Sequence, residues 1–92
     1  MRKVLSMDVY KPDGGRDVQY MISEFMSEYD HIFYFQEFRF EKNNNTAFKT
    51  ADEFYTFTEA KDWMDQLQTK YEAAGNRVVL QDWYTREIRS WT

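Results

Sequence analysis

The chain has a single histidine, His31, which directly follows Asp30. An imidazole is the side chain best suited to move protons near neutral pH, but as a general base it needs a partner nucleophile and a pocket. No spacing in the sequence supplies either, and His31 reads as a polar capping group at the junction of a helix and a strand. The carboxylates are the other candidates for chemistry. Glu59, Asp62, Asp65 and Glu72 recur at intervals of three, three and seven, and Asp17, Glu24 and Glu28 recur in a similar way. Such spacing lines acids along an outward helix face rather than around an ion. Asp52-Glu53 has no calcium-loop pattern around it.

The chain has no cysteine, which excludes a disulfide scaffold, a thiolate zinc site and a cysteine nucleophile. Three glycines, two of them in Asp13-Gly14-Gly15, leave little material for a phosphate cradle, and no dinucleotide fingerprint or nucleophile elbow occurs. The reading is of a chain without catalytic residues, metal or cofactor.

Binding is the remaining class of function, and the aromatic content favours it. Eight Phe, seven Tyr and three Trp are 20% of the 92 residues. That weight of rings is foreign to a disordered chain. The length allows one domain, residues 1–92, with a single core.

Residues 3–10 alternate, with Leu5, Met7 and Val9 on one face, and predict a half-buried strand that Pro12, Gly14 and Gly15 stop. Val18, Met21, Ile22, Phe25, Met26 and Tyr29 fit one stripe at the helical period. They predict a helix over 16–29, with Asp13 as its N-cap. A second strand over 32–41 places Tyr34, Phe38 and Phe40 on the core parity and Phe33 and Phe35 on the other. The run Lys42-Asn43-Asn44-Asn45 is a turn, and the return strand over 46–55 contains a bulge or bend at Ala51-Asp52-Glu53.

Thr56-Phe57-Thr58-Glu59 fits a capping box. The helix that follows carries Phe57, Ala60, Trp63, Met64, Leu67, Tyr71 and Ala74 on one face and ends at Gly75-Asn76. A last strand begins at Arg77, runs through Val78-Val79-Leu80 and extends towards or past Trp83. The tail from Thr85 prolongs it or returns as a short fifth strand.

The order β-α-β-β-α-β predicts an α+β ferredoxin-like sandwich, a four-stranded antiparallel sheet with two helices on one face. In that fold Phe33 and Phe35 point to the open sheet face, joined by Tyr10, Trp83 and Tyr84. Large exposed apolar surfaces mark partner sites. The anchors expected for a partner protein are therefore Phe33, Phe35, Trp83 and Tyr10, with Glu59, Asp62 and Asp65 supplying charge.

Residues 13–72 hold six bases and thirteen acids, an acidic balance that argues against duplex nucleic acid. The reading is a small non-enzymatic protein-binding module. Its most specific version is a phage or mobile-element inhibitor docking on a nucleic-acid-handling host defence protein, a type suggested by size and composition alone. Two alternatives use the same rings. One is single-stranded nucleic-acid binding on the sheet, although Phe35-Gln36-Glu37-Phe38-Arg39-Phe40 lacks the glycine of RNA-recognition strands. The other is a homodimer or larger homo-oligomer that buries the two open faces. No signal peptide or membrane span is read, so the expected setting is the cytoplasm.

Overall fold

A computed structural model describes residues 2–40 and 46–85, and of residues 46–52 only the backbone. It contains β1 (Arg2–Tyr10), β2 (Arg16–Met26), β3 (His31–Phe40), β4 (Thr46–Phe54), α1 (Phe57–Ala73) and β5 (Arg77–Asp82). Residues 83–85 form a helical turn after β5. The strands make one five-stranded antiparallel sheet in the order β4-β3-β2-β1-β5. The class is α+β, as expected. The ferredoxin-like order is replaced by a four-stranded meander, a helical crossover and a fifth strand beside the first.

The difference begins at residues 16–29, where the expected helix is the strand β2. Val18, Tyr20, Ile22 and Glu24 occupy one face of β2, opposite Val9, Met7, Leu5 and Arg2 of β1. Met21 and Phe25 fall on the alternate positions, so apolar groups on both faces imitate a helical stripe. The connection from β1 settles the local geometry. Gly14 has φ of 95° and donates its N–H to the Lys11 carbonyl at 2.9 Å. Asp13, expected as a helix cap, instead accepts the Gly15 N–H at 2.8 Å. A tight turn with glycine in the left-handed region returns the chain antiparallel and leaves no room for a crossover helix.

The second correction lies in β3. With β2 in the sheet, Phe33 pairs with Glu24, and Phe35 with Ile22. Both rings then point to the covered face, where they are 1% and 3% exposed. There they join Leu5, Met7, Val9, Val18, Tyr20 and Ile22 against Ala60 and Met64 of α1. Tyr34, Phe38 and Phe40 lie on the opposite parity, with Asp8, Gln19 and Gln36, and are half-buried. The register shift between Phe35 and Gln36 leaves Ala51 of β4 unpaired, at the expected bulge.

Helix α1 starts and stops as its sequence predicts. The Thr56 hydroxyl accepts the Glu59 N–H at 3.2 Å. At the other end Gly75 has φ of 90°, Gly75 N–H bonds the Glu72 carbonyl and Asn76 N–H bonds the Tyr71 carbonyl, each at 3.0 Å. This paired C-terminal closure requires a left-handed residue after the helix, which glycine adopts without strain. The Asn76 side chain then donates to the Tyr10 carbonyl, fixing the helix end against β1. The expected turn over 42–45 and the tail from residue 86 lie outside the described residues.

Rings carry the packing of α1 on the sheet. Tyr20 stacks on Phe35, and Phe33 meets Phe57 and Tyr84 edge-on. The Tyr20 and Tyr71 hydroxyls bond at 2.7 Å, joining sheet to helix. Burial raises the Tyr20 phenol well above its ordinary value, and the hydrogen bond with Tyr71 adds to the shift.

Replacing Phe33 by alanine should cost about 3–5 kcal/mol, the range for removing a fully buried ring, and is read from urea denaturation midpoints. The Tyr20 shift sets an alkaline limit. The folded chain keeps this proton above about pH 10, where a phenol of the unfolded chain releases it. The contribution is thus complete below about pH 10 and is lost as the pH rises above it. In thermal melts across that range, Tyr20→Phe should fall less steeply than wild type; parallel curves would contradict the assignment.

Candidate functional site

The two ends of the sheet differ. At one end lie the β1–β2 turn, the C-terminus of α1 and the start of β5, where Tyr10 pairs with Arg16 and Arg77. The other end gathers the β2–β3 turn, the start of β1, the β4–α1 junction and the exit from β5. This second end, called here the hairpin end, carries most of the large apolar groups that remain exposed among the described residues.

Its β2–β3 turn is a compact four-residue loop. Ser27 N–H donates to the Asp30 carbonyl at 2.8 Å, and the Ser27 hydroxyl accepts from the Tyr29 and Asp30 amides. A loop closed by its own serine holds its intervening side chains outward. Met26 is 66% exposed and Tyr29 88%. Tyr55 follows Phe54, the residue paired with Phe33, and is 70% exposed. Phe25 is exposed beside them in sequence.

Behind this rim sits a charged group. The Glu24 carboxylate is buried, and its two oxygens take separate partners. Oε1 accepts from the Arg2 guanidinium at 2.7 Å, and Oε2 lies 2.7 Å from His31 Nε2. A buried carboxylate demands such partners. His31 therefore has a role the sequence did not disclose. It starts β3 with its ring 4.9 Å from Phe33, and no helix ends at it. Arg2, Glu24, Phe25 and Met26 line a shallow groove of about 500 Å³.

The expected site residues are dispersed. Phe33 and Phe35 are core, so they are closed to a partner while α1 is docked. Tyr10 is half-buried at the opposite end, with the Arg77 guanidinium 4.3 Å from its ring centre. Trp83 does reach the hairpin end, half-buried under the Lys3 ammonium at 5.0 Å, while Tyr84 stacks on Phe57 at 4.2 Å. Glu59, Asp62 and Asp65 are exposed on α1, as expected of an outward stripe, with Asp65 paired to Lys61 at 2.6 Å. Of those outside the core, only Trp83 and Glu59 stand at the same end as Met26 and Tyr29.

Tyr55 stood at the expected end of the return strand, and Met26 and Tyr29 were not recognisable as surface groups while 16–29 read as a helix. The signal that could have found them is the Asp13-Gly14 turn, a hairpin pair whose short return forces β2 and its tip into view.

Among the described residues no cluster of three or more metal-ligating side chains is present. No described helix is long and apolar enough to cross a membrane. No family model, curated protein or solved structure matches the chain.

The Glu24 arrangement is directly testable. Glu24→Gln keeps the shape but removes the charge that both partners meet, and should lower stability by about 1–3 kcal/mol in urea titrations. The His31 ring resonances should shift in the same variant, whereas a change confined to Arg2 would contradict the shared carboxylate.

Proposed function

We propose that this chain is a non-enzymatic protein-binding module that meets its partner with the hairpin end of the sheet. One observation carries the reading: Met26, Tyr29 and Tyr55, all large and largely exposed, share one end of the molecule. Exposed apolar groups gathered in one place lower solubility unless they are used. Methionine and tyrosine are also enriched where proteins bind proteins, methionine because it adapts its shape and tyrosine because it offers a rigid ring with a polar tip. The closed Ser27 loop and the buried Glu24 hold these groups on ordered backbone, which limits the entropy lost on binding.

The function class is the one expected from the sequence, with aromatic anchors inside an acidic rim. The anchors have moved from Phe33 and Phe35 to Tyr29 and Tyr55. An inhibitory role against a nucleic-acid-handling protein is one form such a module takes, and it belongs to the same proposal.

The test compares capture by the wild-type chain with capture by Met26→Asp combined with Tyr29→Ala. Both positions are exposed, so the fold should survive, which circular dichroism checks. A partner held by wild type should be lost from the double variant and kept by Asp62→Ala with Asp65→Ala. Capture unaffected by the double variant would remove the hairpin end from the function. Oligonucleotide titration and sedimentation separate the nucleic-acid and self-association readings.

A further inference from the structure

The charges around the hairpin end say what kind of segment it would take. Glu28 and Asp30 flank Tyr29 in the loop, Glu53 precedes Phe54 and Tyr55, and Glu59 stands in the first turn of α1. All four are exposed, and none has an ion-pair partner among the described residues. Among the described residues, the basic side chains at this end are already engaged within the chain. Arg2 and His31 sit on Glu24, and Lys3 lies over the Trp83 ring. The apolar groups are thus bordered by carboxylates that nothing described neutralises.

We propose that the partner segment is cationic and apolar together: a Lys or Arg beside a large hydrophobic side chain. The inference rests on the protein-binding reading above. The hydrophobic side chain would lie against Phe25 and Met26 in the shallow groove. The flanking base would meet the loop carboxylates Glu28 and Asp30. Complementary rim charges mainly speed encounter and exclude acidic competitors, while the apolar contact sets the lifetime of the complex. An acidic or neutral segment would gain the same apolar contact but not the field of these carboxylates.

The experiment is selection from a random peptide library on the immobilised full chain, followed by titration of the enriched peptides. Enriched peptides should carry Lys or Arg next to Leu, Phe, Met or Trp. Their affinity should fall at least about tenfold for Glu28→Lys with Asp30→Lys, and should weaken as salt rises from about 50 to about 300 mM. They should also fail to bind Met26→Asp. Peptides lost with Met26→Asp but lacking bases, or indifferent to the charge reversal, overturn this inference and leave the binding reading standing. Peptides indifferent to Met26→Asp, or no enrichment at all, overturn both. A chain that sediments as a dimer, and as a monomer once Met26→Asp is made, assigns the surface to a second copy and overturns the cationic segment.

Discussion

Among the described residues, one long helix of 17 residues has to cover one face of a five-stranded sheet. Five strands span about 19 Å between their outer axes, and the helix is about 25 Å long but only about 10 Å across. It crosses from the β4 edge to the β5 edge, so it passes over every strand but covers each for little more than its own width. Small aliphatic side chains would leave the flanks of such a crossing unfilled. Large rings reach across the gap: Phe33, Phe35 and Tyr20 from the sheet, Phe57, Trp63 and Tyr71 from the helix, and Tyr84 from the turn after β5. Much of the aromatic weight of the sequence is therefore a consequence of covering a wide sheet with one helix. Trp63, still 38% exposed, marks where the cover runs out on the side towards Phe54.

The same constraint shapes the surface. A helix laid over one face leaves the other without a described cover, and that face is accordingly mixed, with the Asp8–Gln19 pair in its centre. It also leaves the end where α1 begins rich in ring edges. Glu24 lies there on the covered face, in line with Phe33 and Phe54, where a hydrocarbon would have been the simple choice. Its two ligands, Arg2 from β1 and His31 from the far side of the turn, tie β1, β2 and β3 together at the hairpin end.

Elements with one consistent signal were legible in the sequence. β1 alternates cleanly, α1 has both a cap and a terminating glycine, and the bulge in β4 was marked by charged residues within a strand. β2 was not legible, because its apolar residues satisfy two periods at once. Val18 and Ile22 fit both a helix stripe and a strand face. Tyr20, which falls outside the helical stripe, is the buried residue that decides between them. That ambiguity hid the tip where Met26 and Tyr29 stand. The parity of Phe33 and Phe35 was misread within β3 itself, because Glu37 and Arg39 on the same face made that face look polar.

Finally, β1 lies between β2 and β5, so the first described strand is completed by the last described one. The four meander strands assemble through successive hairpins, each closing a short loop. The β1–β5 ladder instead joins Tyr10 to Arg77 and Leu5 to Asp82, across nearly the whole chain. Such a closure is slow relative to a hairpin. During synthesis β1 therefore shows one unpaired edge until β5 has left the ribosome. Arg2 and Lys3 at its start, and Asp8 within it, place charge on that edge during the interval when edge-to-edge pairing with other chains is most dangerous.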